Sequence, residues 1–213
     1  MREPVKPKRA YRSTQRRVQA EQTRRRMLDA ARDRFTEQGF GGTTIAAVAS
    51  AAAVAPETVY AAFGSKAALL AELVRAAARG DEPGPILEQA GPAAVAAAGG
   101  QLEQLHRFAA DVCDRLERVG PLMAVVAAAA PSQPELATLY RELHQARLRN
   151  LRQFVDMLAA NGPLAMEPRR AAETVWALAS PEMHQLLRRT RGWSRAAYEA
   201  WLADALAALL LPP

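Results

Sequence analysis

The chain of 213 residues holds one cysteine, Cys113. A single thiol excludes an intramolecular disulfide framework and fits a reducing compartment. Aromatic residues make up 6% of the chain and β-branched residues are sparse, with two isoleucines, which argues against a sheet protein. The N-terminus is charged rather than apolar, so no secretory signal is expected. Long hydrophobic runs are missing as well. The longest uncharged stretch, Gln38 to Pro56, carries three glycines and two threonines and ends at a proline, a poor membrane span. No G-x-S-x-G, Walker or G-x-G-x-x-G sequence occurs, and no carboxylate pair or nucleophile–base spacing stands out, so the chain is not expected to be an enzyme. His106, His144 and His184 lie far apart along the chain, without the close pairing of a metal-binding helix. Neither metal nor cofactor is expected.

What the sequence does have is alanine, 48 residues of it, and alanine favours helix. The fourteen prolines fall mostly between apolar periodic stretches, where helices would end. The chain reads as all-α, of one or two domains, and long enough to bury roughly 70% of its unfolded surface without a metal or disulfide. The net charge of +6 is uneven: the first 26 residues hold ten Lys and Arg against two acids, and the rest is nearly balanced. Such an arm seeks polyanions, nucleic acid first. On charge alone, a solubilising tail fits as well.

Residues 1–12 read as an arm, followed by a helix to Gln38 that starts between Ser13 and Thr23. Met27, Ala31 and Phe35 give that helix an apolar face. Gly39 sits at a left-handed C′ position, with Phe40 placed to touch Phe35. A short helix fits Ile45–Ala52, with Thr43 or Thr44 as N-cap, and another fits Pro56 to Phe63, with Val54 placed to staple onto Val59. Ser65 then caps a helix over Lys66–Arg79. Interruptions are expected at 81–85, Gly91-Pro92 and Gly99-Gly100. Beyond them, helices fit Leu102–Val119, Pro121–Ala130, Glu135–Ala160, Arg169–Leu187 with a bend at Pro181, and Ser194–Leu211. Trp193 and Tyr198 would staple the last of these. The expected organisation is a basic flexible arm over 1–21, a DNA-binding domain over 22–75 and a helical bundle over 76–213, about nine helices in all.

Two short helices joined by a three-residue break behind a capped amphipathic helix have the spacing of a helix-turn-helix. Ala49, Ala52 and Ala53 supply small residues for the crossing, and Val48, Val54, Val59 and Phe63 supply apolar anchors. Glu57, Thr58, Tyr60 and Ala61 are left to face outward. By spacing alone, a packed helix pair with no role on DNA remains open.

Residues 22–75 resemble the DNA-binding segment of the tetracycline-repressor (TetR) family of bacterial transcriptional regulators. The family reads T-x-x-x-(I/V)-A-x-x-A-G-V-S-x-G-T-(L/V)-Y-x-(H/Y)-F-x-(S/N)-K-x-x-L. Thr44, Val48, Ala49, Ala52, Val54, Thr58, Val59, Tyr60, Phe63, Ser65, Lys66 and Leu69 match it. Ala53 replaces the usual Gly, Ala55 the usual Ser, Glu57 a common Gly, and Ala62 the usual His or Tyr.

The resemblance implies an all-α regulator with an N-terminal three-helix DNA-binding domain, joined by a connector helix to a C-terminal ligand-binding and dimerisation domain. Its DNA contacts would be Arg24, Arg25, Thr44, Ala55, Pro56, Glu57, Thr58, Tyr60 and Lys66. The wider arginine cluster (Arg9, Arg12, Arg16, Arg17, Arg24, Arg25, Arg26) would track phosphates or enter a minor groove. Lys66 at a helix start opposes the helix dipole unless a phosphate sits there. Phe108, Met123, Trp176 and His184 are candidates for a small-molecule pocket, although each also suits packing, and Cys113 reads as core. The implied partners are a palindromic double-stranded operator, a second copy joined through the C-terminal helices, and an unidentified small-molecule effector, with no membrane. The function implied is that of a cytoplasmic repressor. The departures at Ala53, Ala55 and Ala62 motivate a rival: a helical small-molecule-binding protein that has lost sequence-specific DNA recognition.

Overall fold

The computed structural model describes residues 8–82 and 84–213, with side chains from residue 15 onward. The first seven residues, Pro83 and the side chains of Arg9 and Arg12 lie outside the described residues. Among the described residues the chain forms ten α-helices, a 3-10 turn at Ile86–Glu88 and a π turn at Leu186–Thr190, with no strand. It divides into two compact units, Met1–Leu73 and Val74–Pro213.

In the first unit, α1 runs Lys8–Gly42. The flexible arm expected over 1–21 is therefore helical from Lys8. Residues 8–21 contain no proline or glycine and are rich in Arg, Gln and Ala, all good helix formers. Met27, Ala31 and Phe35 are buried along one face of α1. The helix kinks at Gly39, whose φ of 69° lies in the left-handed region, and Phe40 turns back to stack on Phe35 with ring centroids 6.0 Å apart. The Thr43 hydroxyl donates to the carbonyls of Arg34 (3.0 Å) and Gly39 (2.8 Å), satisfying groups that the kink releases.

Helix α2 spans Ile45–Ala51, and Thr44 is its N-cap, accepting from the Ala47 N–H at 3.1 Å. Helix α3 spans Pro56–Phe63, and α4 spans Lys66–Arg79 with the Ser65 hydroxyl accepting from the Ala68 N–H. Ala53, between α2 and α3, has φ 53°. A side chain in the left-handed region costs roughly 1–2 kcal/mol. Glycine relieves that cost, while the freer unfolded chain takes back about 0.4–1 kcal/mol. Ala53→Gly is thus expected to stabilise the unit by about 0.5–1 kcal/mol, measured as a higher midpoint in urea.

In the second unit, α5 (Ala90–Ala96), α6 (Gln101–Ala129), α7 (Pro134–Ala160), α8 (Pro168–Leu178), α9 (Pro181–Gln185) and α10 (Arg195–Leu210) enclose a core that includes Leu105, Cys113, Leu158, Val175, Leu202 and Leu206. Four expectations change here. Gly91-Pro92 does not interrupt the chain but lies in the first turn of α5, where a missing N–H costs nothing. Gly91 is also needed there, because a Cβ would stand 1.9 Å from the Asp111 carboxylate. Pro121 lies inside a continuous α6 rather than starting a new helix. The 169–187 segment is broken, not bent: Ser180 caps a new helix by accepting from the Met183 N–H at 3.1 Å. Finally, Trp193 packs edge-on against Trp201 (centroids 5.9 Å), while Tyr198 is buried against His184.

Candidate nucleic-acid interface

Helices α2 and α3 meet at 107°, inside the 90–120° range of helix-turn-helix pairs. Val48, Ala49 and Ala52 are buried, and so is Val59, which seats α3. Ala53 is not part of the crossing; it stands exposed in the turn. With Val59 turned inward, Ala55, Pro56, Glu57, Thr58, Tyr60 and Ala61 are all exposed, Tyr60 at 53%. Proline at the first position and Glu57 in the first turn set the helix start, but no side chain caps it at Ala55. The outward face thus offers hydroxyls from Thr58 and Tyr60 and one carboxylate acceptor, a set able to meet base edges in a groove of major-groove width.

The cations divide into two groups. Arg16, Arg17, Arg25 and Arg26 are exposed along α1, and Arg25 and Arg26 flank a shallow depression with Gln19, Gln22 and Asp29. Arg24 and Lys66 are instead engaged within the unit. Arg24 donates to the Ala62 carbonyl (3.2 Å), lies 3.6 Å from Glu72 and sits 4.4 Å above the Phe63 ring. Lys66 Nζ donates to the carbonyls of Phe40 (2.7 Å) and Thr43 (2.9 Å) and lies 4.2 Å from the Phe40 ring centre. Burial pulls its ammonium below the usual lysine value. Two of its three hydrogens serve the α1–α2 corner, which the ammonium braces. No local sequence signal marks either clamp, because each cation meets its aromatic ring, Phe63 or Phe40, only through tertiary packing. Thr44 is exposed, and its oxygen caps α2.

The second unit contains a cavity of about 430 Å³, within the range of small-molecule sites. Phe108 and Met123 line it; Trp176 and His184 do not. Trp176 stands behind the wall, its carbonyl accepting from Arg147 and its ring 5.3 Å from that of His144. The residues missed by sequence reading are His144 and Arg147, which face the cavity one turn apart on α7. Polar side chains on a helix rich in charge carry no local sign of burial, and only tertiary packing turns these two inward.

His184 instead belongs with Cys113 and Glu117, whose donor atoms all lie within 4.8 Å of one another, a group able in principle to hold a metal ion. Its state speaks for packing. Glu117 is held by Arg188 at 2.9 Å, and burial, then the Glu117 charge, push the Cys113 thiol up to about 11. Burial, then Arg188, hold His184 below its usual 6.5. The unfolded chain therefore takes up this proton first on acidification. Its contribution to stability is complete above pH 6.5 and falls as pH drops toward the folded value. The melting temperature is expected to decrease between pH 7.5 and 5.5, and His184→Gln is expected to flatten that decrease.

The fold and the outward α3 face define a helix-turn-helix domain of the kind that lays its second helix in a DNA groove. Residues 27–73 match the family described as bacterial regulatory proteins, tetR family. Over 71 residues it is 39% identical to the HTH-type transcriptional regulator UidR of Escherichia coli (strain K12), a match covering 31% of this chain and 36% of that one. The chain thus spans about a third of the length of this curated relative. The fold is also that of NalD, the secondary repressor of the MexAB-OprM multidrug efflux pump in Pseudomonas aeruginosa (TM-score 0.69, 22% identity, 91% of this chain and 98% of that one). It is likewise similar to FadR from Bacillus subtilis in complex with stearoyl-CoA (TM-score 0.66, 16% identity, 85% and 96%). Among the described residues no single helix is long and apolar enough to cross a membrane.

Proposed function

We propose that the protein is a cytoplasmic, ligand-responsive transcriptional repressor that binds a palindromic operator as a homodimer. The observation that carries this reading is the seating of α3 by Val59 at 107° to α2, with Thr58 and Tyr60 turned outward. Two such helices in a two-fold dimer enter successive major grooves, with half-sites about one helical turn apart. The exposed arginines of α1 hold the backbone and the α3 hydroxyls read bases; Arg24 and Lys66 position α3 and the Thr44 loop rather than meet DNA directly.

For the dimer, the support lies in α10. Ala197, Ala200, Ala208 and Leu209 are exposed on α10 around a single charge, Asp204, and their small apolar side chains suit close approach of another helix. For the effector, the support is the 430 Å³ cavity, whose lining includes Val74, Arg75, Ala78 and Arg79 of α4. A ligand that favours one of two arrangements of α4 changes DNA affinity by the difference in its own affinity for them, typically 5–150-fold.

A mobility-shift titration with the DNA upstream of its own coding sequence and with unrelated DNA, at 50 and 200 mM salt, tests the reading. The expected result is a preference for the upstream fragment that persists at the higher salt. Equal binding of both fragments at both salts would favour a ligand-binding protein without sequence recognition, the reading that uncapped Ala55 and the short side chain of Ala62 support.

A further inference from the structure

The walls of the second unit's cavity carry a charge pattern that specifies the kind of molecule they accept. Most of the lining is apolar, with Phe108 and Phe154 stacked at 4.0 Å between centroids. Four arginines reach it (Arg75, Arg79, Arg115 and Arg147) against a single acid, Asp111. That acid is already matched: Arg115 grips it with two bonds of 3.0 Å and donates further to Ala78 O and Gln89 Oε1, each at 2.9 Å.

Arg147 has no such counter-ion. One guanidinium nitrogen donates to the Trp176 carbonyl, while Nη1 is buried without a hydrogen-bond partner. Burial pulls the group down to about 10. The nearby carboxylate, Glu182, is committed to the Tyr140 hydroxyl at 2.8 Å. His144, with 9% of its surface exposed, stands one turn earlier on the same helix. Its Nε2 is 3.5 Å from Glu182, beyond hydrogen-bond geometry, and its Nδ1 is buried without a partner. A guanidinium set over the Trp176 ring and a buried imidazole, both short of hydrogen-bond partners and both on residues that line an apolar chamber, are costly in the empty protein. An anion supplies what they lack.

We propose that this cavity binds an apolar monocarboxylate, its carboxylate paired with Arg147 and within reach of His144, its hydrocarbon part against Phe108 and Phe154. One unmatched cation calls for a single negative charge, and guanidinium geometry suits a carboxylate. A quaternary ammonium ligand would meet Arg147 as a like charge and is excluded. This inference rests on the reading of the second unit as the effector-binding part of a regulator.

The test uses the full chain with decanoate, decanol and decyltrimethylammonium, each below its micelle threshold, with affinity read by calorimetry and by shift of the unfolding temperature. Decanoate is expected to bind one per chain and at least tenfold more tightly than decanol, since a charge-assisted pair contributes about that factor or more. The ammonium compound is expected not to bind. In Arg147→Met, decanol binding is expected to persist while the preference for decanoate disappears. Equal affinity for acid and alcohol in the unaltered protein, binding of none of the three, or an acid preference that survives Arg147→Met overturns the proposal. The comparison in the unaltered protein decides the matter even if the variant does not fold. A parallel DNA-release assay keeps the two readings apart. Decanoate binding without DNA release leaves this inference standing and contradicts ligand-responsive repression by this class of molecule. Ordinary DNA binding with no decanoate binding removes the inference and leaves the repressor intact.

Discussion

Raising the salt concentration from 50 to 200 mM is expected to weaken operator binding by about 10³–10⁵-fold, the range for 6–10 phosphate contacts. On the proposed reading the contacts come from α1. Arg16, Arg17, Arg25 and Arg26 are exposed on each protomer, about eight cations in a dimer. At roughly 0.9 per neutralised phosphate, the slope of log affinity against log salt is expected near −7. Replacing Arg25 and Arg26 by glutamine removes four of those charges and is expected to reduce the slope by about 3–4, as is deletion of residues 1–17. Arg24→Gln is expected to behave differently. Its guanidinium braces Ala62, Glu72 and Phe63, so its loss registers in the stability of the first unit more than in the salt slope. Filter-binding or fluorescence titrations at four salt concentrations measure all of this. An unchanged slope in the Arg25/Arg26 variant would remove those two arginines from the interface.

Two adjacent positions on α3 are expected to fail in opposite ways when each becomes aspartate. Val59 has no exposed surface and seats the helix. An unpaired carboxylate there costs more than about 4 kcal/mol, a large part of the stability of a small domain. Val59→Asp is therefore expected to unfold the first unit, seen as loss of helical ellipticity and of amide protection over α2 and α3. Tyr60, one residue on and 53% exposed, tolerates the same change within about 0.5 kcal/mol. Yet Tyr60→Asp places a negative charge toward the duplex, and DNA binding is expected to be lost in a protein that folds normally. If both variants folded and bound DNA alike, the orientation of α3 would be other than described.

Much of this was legible in the sequence because local rules decide it. Gly39 with Phe35 and Phe40, Thr44 ahead of Ile45, Pro56 at a helix start and Ser194 ahead of α10 are capping signals, read from neighbours within a few residues. The outward set on α3 follows from the period of the helix once Val59 is taken as the anchor. What escaped was tertiary. Pro121 stays inside α6, which no local rule predicts. The fates of Arg24 and Lys66 depend on carbonyls 38 and 26 residues away, at Ala62 and Phe40. His144 and Arg147 carry no mark of burial in a helix rich in charged residues, and only the placement of α8 and α9 against α7 makes them cavity groups. Trp176 and His184 stand out in the sequence by aromatic character and polarity, and they lie outside the wall for the same reason of packing.

The central claim is that the exposed face of α3 reads DNA sequence. Selection of fragments from a random DNA pool, run in parallel with the unaltered protein and with a Thr58→Ala, Tyr60→Ala variant, tests it most directly. The expected result is a palindromic motif with half-sites about one helical turn apart, relaxed at specific positions in the variant, while low-salt binding to any duplex is retained. A motif that is the same for both proteins, or no motif for the unaltered one, would contradict it.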